Sequence, residues 1–134
     1  MADHVRREGV GPALVLCSPA RRARETAERI VPALVDDPAV EFDDELYDTS
    51  AQCLLERLRA IDDAAPSVML IGHNPSLEAL AVDLAGRGAK LDELRRKYPT
   101  AALATLEFAG SWRDLGPAKA ELTDFVTPKK VAKG

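Results

Sequence analysis

The chain has 134 residues, 46% apolar and 30% charged, which fits one soluble-type globular domain with a core built mainly from Leu, Val and Ala. A net charge of −4 argues against a general nucleic-acid coat, which needs a basic face, and no apolar run approaches the roughly 18 residues of a membrane span. Two cysteines, Cys17 and Cys53, are too few for a disulfide framework and lack metal-ligand spacing, so both read as reduced core thiols of a cytoplasmic protein.

The chain opens on a polar helical stretch in which His4 lies beside Arg6, Arg7 and Glu8 and reads as a surface residue. Residues 13–17 are a short apolar run bounded by Gly11-Pro12 and Ser18-Pro19, which predicts a buried strand. Ser18 suits an N-cap and Pro19 a first helical position, so a helix is expected from there. Ala23, Ala27, Ile30, Val31 and Leu34 recur at helical spacing until Asp36-Asp37-Pro38 stops the helix. Residues 40–42 alternate like a strand and lead into an acidic loop from Asp43 to Asp48. Thr49 with Gln52 resembles a capping box ahead of a helix whose stripe is Leu54, Leu55, Leu58 and Ile61.

A second apolar run at residues 68–71 predicts another buried strand and runs into Gly72-His73-Asn74-Pro75, where Asn74 can cap and Pro75 can open a helix. Leu77, Leu80, Ala81 and Leu84 mark that helix's buried face, and Gly86 and Gly88 are expected to close it. Residues 91–98 predict a further short helix ended by Pro99. Residues 104–108 and 121–126 predict two strands joined around Gly110-Ser111-Trp112, with a frayed tail from Pro128. Strand followed promptly by helix, twice, means parallel strands with crossover helices, an α/β class. Such sheets bind ligands at the carboxyl ends of their strands, where both Ser18-Pro19 and His73-Asn74-Pro75 fall.

The helix opening near Ser18 suits an anion, because its first N–H groups lack partners and its dipole is positive there. Arg21 and Arg24 each have a glutamate four residues on, Glu25 and Glu28, and can form surface pairs. Arg22 has no carboxylate at either four-residue offset, leaving its guanidinium freer to hold phosphate bidentately. His73, at the end of an apolar strand, can donate to phosphate or exchange a proton near neutral pH. Arg87, Lys90, Arg95, Arg96 and Lys97 read as a solvated basic face rather than a pocket rim.

These two loops together resemble the histidine phosphatase superfamily, whose fold is phosphoglycerate-mutase-like. The stretch Ser18-Pro19-Ala20-Arg21-Arg22-Ala23-Arg24-Glu25-Thr26-Ala27 is similar to that family's Ser-Pro-x-x-Arg-Ala-x-Gln-Thr-Ala helix start, with Glu25 where glutamine is frequent. Gly72-His73-Asn74-Pro75, Leu46-Tyr47-Asp48 and the short layout are similar to the SixA-type phosphohistidine phosphatases. The resemblance implies a three-layer α/β sandwich with a mostly parallel sheet, formed by residues 1–134 as a single domain with a tail at 128–134. It implies phosphate binding by Arg22, His73 and Ser18, and catalysis by Arg22 and His73 with Asp48 as proton donor, Glu45 being the weaker second. It implies no metal or other cofactor, and as substrate a phosphohistidine-bearing protein or a small phosphomonoester. Neither nucleic acid nor membrane is an expected partner.

One family feature has no counterpart. The family opens with a strand ending in Arg-His-Gly or Arg-His-Ala, whose histidine accepts the phosphoryl group, and no Arg-His pair occurs in this sequence. His4 cannot stand in, because it lies on a helical stretch. The resemblance therefore implies that the first central strand and most of the first helix are missing, through a misplaced start codon or a shortened product, and that the chain alone is inactive. The alternative is a catalytically dead phosphate- or partner-binding domain of the same fold. A cysteine-based phosphatase loop fits poorly: the sixth residue after Cys17 is Ala23, with arginines at 22 and 24.

Overall fold

The protein's computed structural model describes residues 1–72, 75–88, 91–96 and 103–127, with Glu93, Arg95 and Arg96 described by backbone alone. Those residues fall into two compact units, one from residues 1–49 and 62–73, the other from residues 50–61 and 74–134.

In the first unit, helix α1 (Ala2–Glu8) carries His4 and buries Val5. It ends at Gly9, whose φ of 66° allows the Gly9 and Val10 N–H groups to turn back onto the Arg6 and Val5 carbonyls. His4 is half-buried rather than on the surface, because its turn of the helix also carries fully buried Val5. Strand β1 (Leu14–Cys17) pairs in parallel with β2 (Ala39–Phe42) on one side and β3 (Val68–Ile71) on the other. Val15, Leu16 and Cys17 are fully buried, as the middle strand of a parallel sheet requires. Each such aliphatic side chain contributes about 1.5–3 kcal/mol by leaving water.

Helix α2 (Arg21–Ile30) connects β1 to β2 and buries Ala23, Ala27 and Ile30, the spacing read from the sequence. A 3-10 turn at Val31–Ala33 then takes over at Pro32, which has no N–H to continue an α-helical ladder. The start of α2 departs from expectation. Ser18 is not its N-cap; Ala20 holds that place, and Pro19 precedes it. Ser18 Oγ instead accepts the Ala20 N–H at 3.2 Å, so the hydroxyl closes a local turn before the helix begins.

In the second unit, α3 (Ala51–Arg59) buries Leu54, Leu55 and Leu58, while Cys53 is exposed rather than a core thiol because it falls off that apolar stripe. Its N-cap is Ser50, whose Oγ accepts the Cys53 N–H at 3.2 Å, and not Thr49. With the helix starting one residue later, the position that a capping box needs to be Glu or Gln falls on Cys53, and Gln52 bonds Glu56 instead. Helix α4 (Ser76–Leu84) has Pro75 at its N-cap rather than its first turn, and Asn74 lies outside the described residues.

Gly86 and Gly88 do not close α4. They belong to a strand, β4 (Ala85–Gly88), which pairs in parallel with β6 (Ala120–Val126). A Cβ on Gly88 would lie 2.3 Å from the Leu122 carbonyl oxygen, so glycine here permits backbone to approach backbone. After α5 (Leu91–Arg96), β5 (Leu103–Phe108) pairs antiparallel with β6, giving the order β4-β6-β5. Tyr98, Pro99 and the tail from Pro128 lie outside the described residues. Ala81, Ala85, Leu94, Leu122 and Phe125 form this unit's core, and Phe108 meets Trp112 edge-on at 4.9 Å between ring centroids. The architecture is α/β, with parallel pairing for three of the four strand contacts among the described residues.

Candidate functional site

Because β1, β2 and β3 run in parallel, their carboxyl ends share one edge of the first unit. Register sets Cys17 beside both Phe42 and Ile71. Two hydrogen bonds extend the ladders past the last paired residues: the Ser18 N–H donates to the Ile71 carbonyl at 2.9 Å, and the Asp43 N–H donates to the Cys17 carbonyl at 3.0 Å. The three segments expected to carry chemistry therefore leave the sheet side by side: the turn at Ser18 into α2, the acidic segment from Asp43, and Gly72 leading to His73. The imidazole of His73 itself lies outside the described residues.

Arg22 is the second residue of α2, exposed, and has no ion pair among the described residues. Its carbonyl accepts the Thr26 hydroxyl at 3.0 Å, an ordinary within-helix bond that does not involve the guanidinium. Arg21 forms the expected pair with Glu25 at 3.0 Å, on the exposed face of the helix. Arg24 does not pair with Glu28. Its guanidinium stands 5.4 Å from the centre of the Phe42 ring, a contact between residues 18 positions apart that no sequence spacing signals. An arginine four residues before a glutamate is also the weaker order for a helical ion pair.

Ser18 is fully buried, and its hydroxyl serves the turn. Asp43 Oδ1 accepts the Glu45 N–H at 2.9 Å and opens a short 3-10 turn over Asp44–Leu46, anchored by buried Leu46. Glu45 and Asp48 are exposed, and Asp48 adopts φ 47°, a left-handed conformation that aspartate tolerates better than most residues. Cys17 Sγ lies 3.2 Å from the Ser18 carbonyl and 3.5 Å from that of Ala23, and burial pushes the thiol up to about 11 despite the nearby Arg24 charge. A thiol so placed stays neutral at pH 7 and is no nucleophile.

Among the other basic residues, Arg87 pairs with Glu121 at 3.6 Å in the second unit. Lys90, Lys97 and the side chains of Arg95 and Arg96 lie outside the described residues. Among the described residues, no group of three or more His, Cys, Asp or Glu is arranged to hold a metal ion. No described helix is long and apolar enough to cross a membrane.

No family model matches the sequence. The chain is 34% identical over 118 residues to an uncharacterized protein of Mycobacterium leprae, spanning 86% of this chain and 71% of that one. It is 33% identical over 119 residues to an uncharacterized protein of Mycobacterium tuberculosis, spanning 86% and 73%. Among solved structures it is similar to a Nakamurella multipartitia protein assigned as the phosphohistidine phosphatase SixA, with TM-score 0.76, 27% identity, and 95% and 77% of the two chains covered. An Agrobacterium tumefaciens protein with the same assignment gives TM-score 0.75, 28% identity, and 95% and 75% coverage. The protein histidine phosphatase SixA complexed with tungstate shares the fold at TM-score 0.74 and 21% identity, over 97% and 78% of the chains. Two segments that leave a parallel sheet side by side, one with the superfamily's sequence pattern and one with the SixA-type pattern, thus occur on that branch's fold: the chain belongs to the histidine phosphatase superfamily, in its SixA-type branch.

Proposed function

We propose that this protein is a phosphatase acting on phosphohistidine, with a small phosphomonoester as the lesser substrate, in the cytoplasm. The observation that carries the reading is Arg22 at the start of α2, with no ion pair among the described residues, on the same sheet edge as the segment leading to His73. In this reading a nucleophilic histidine attacks phosphorus, forming a new N–P bond as the bond to the substrate's imidazole breaks. Arg22 and His73 hold the non-bridging oxygens as charge builds on them. Asp48, or Glu45 in its stead, supplies the proton that the departing group takes up. Water then attacks the phosphorylated histidine and releases inorganic phosphate, returning the imidazole. Ser18 contributes by closing the turn that presents Arg22. No step calls for a metal.

The sequence holds no Arg-His pair, so the nucleophile in this reading comes from a family-type strand that this chain lacks, and the chain by itself does not turn over. The same observation favours one alternative, an inactive domain that keeps Arg22 and His73 to bind phosphate. Phosphate release from phosphoramidate and from a histidine-phosphorylated protein, by this chain and by a version extended upstream, separates the two. Turnover restored by extension, and lowered about 100- to 1,000-fold by Arg22→Ala, supports the enzyme. Tungstate binding that Arg22→Ala abolishes, with no turnover in either version, supports the binding domain. Tungstate binding and turnover that are both indifferent to Arg22→Ala refute both readings.

A further inference from the structure

We propose that Arg24 and Phe42, with Tyr47, form a docking surface that reads the phosphorylated protein beside its phosphoryl group, a refinement that rests on the phosphatase reading above. The chain has only six aromatic residues, yet two of them, Phe42 and Tyr47, are 52% and 60% exposed on one short segment. Partly covered aromatics on one surface segment are characteristic of interaction sites. Phe42 ends β2 opposite Cys17, the residue before the Ser18 turn, so this surface begins one strand away from the phosphate-binding edge.

Helix geometry sets the surface apart from that edge. Residues 22 and 24 are about 200° apart around a helix, so Arg22 and Arg24 flank the buried Ala23–Ala27–Ile30 stripe on opposite sides. One phosphate held by Arg22 does not also engage Arg24. Arg24 instead rests on Phe42 and has no carboxylate partner among the described residues, although Glu28 is within helical reach. A cation fixed on an aromatic face, with its charge uncompensated, suits a carboxylate arriving from outside. The exposed acidic residues Asp44 and Glu45 lie beyond Phe42 along the chain and disfavour an acidic group there. The occupant this pattern fits is a folded protein presenting a carboxylate to Arg24, an apolar side chain to Phe42 and Tyr47, and neutral or basic groups to the acidic turn. A small phosphomonoester is too short to touch both arginine flanks.

Steady-state kinetics of the upstream-extended protein test this with two substrates, phosphoramidate and a histidine-phosphorylated protein whose surface beside the phosphohistidine carries a carboxylate and an apolar side chain. Phe42→Ala and Arg24→Gln are each expected to raise KM for the phosphoprotein about fivefold, with kcat within twofold and phosphoramidate constants unchanged. Arg24→Gln keeps Phe42 and the other side chains of β2 in place, so a folding defect in Phe42→Ala does not blur the outcome. Unchanged phosphoprotein KM in both variants overturns the docking surface while leaving the phosphatase reading intact. Equal losses on both substrates also overturn it, since they mark damage to the phosphate site. Upstream-extended protein without either substitution that cleaves neither substrate refutes the phosphatase reading, and the docking surface with it.

Discussion

Replacing Cys17 by alanine tests whether the thiol at the edge of the site is a buried packing group or a reactive one. The thiol sits at the end of β1, fully buried and within reach of two carbonyl oxygens, and burial raises it from 9.0 to about 11. At pH 7.5 only on the order of 0.03% is thiolate, far too little for nucleophilic catalysis. The same shift makes stability depend on pH. Below pH 9 the thiol is neutral in both states and contributes no pH dependence. As pH rises from 9 towards 11 the unfolded chain ionises first and is favoured, so the native state loses about 2 kcal/mol by pH 10.5. Urea unfolding of wild type and Cys17→Ala at pH 7.5, 9 and 10.5 isolates this effect, because every other titrating group is common to both. The stability gap is expected to move by about 2 kcal/mol in favour of the alanine variant as pH rises. A constant gap, or rapid alkylation of Cys17 by iodoacetamide in the native protein at pH 7.5, refutes the reasoning and revives thiol chemistry.

Two further outcomes concern the second unit. Gly88→Ala puts a Cβ 2.3 Å from the Leu122 carbonyl oxygen at φ 151°, so it is expected to cost about 2–4 kcal/mol and lower the melting midpoint by roughly 10 °C. Gly110→Ala, at φ 99° but with nothing within 4 Å, is expected to cost only about 1 kcal/mol; equal midpoints for the two variants would discount the close approach. Arg59 Nε–H donates to the Leu115 carbonyl at 2.7 Å and ties α3 to the loop before β6. Arg59→Ala is therefore expected to cost about 1–2 kcal/mol and to speed amide exchange in residues 115–118, and unchanged exchange there would show that the bond does not hold the loop.

The sequence by itself determined the local and periodic features. Residues 14–17 and 68–71 are unbroken apolar runs, which makes parallel strands legible, although in the second run only Ile71 is buried and Val68, Met69 and Leu70 are half-buried. The stripe at Ala23, Ala27 and Ile30 and the lack of a carboxylate four residues from Arg22 were equally local, because helix geometry relates neighbours at fixed offsets. What depended on residues far apart in the chain was decided only by tertiary structure. Gly86 and Gly88 read as a helix stop until β6 approached them closely enough to make a strand of them. Thr49 gave way to Ser50, and Ser18 to Ala20, because one residue of phase decides which side chain meets a free N–H. Arg24 left its helical neighbour Glu28 for Phe42, since a side chain goes to whichever surface the folded sheet brings within its reach.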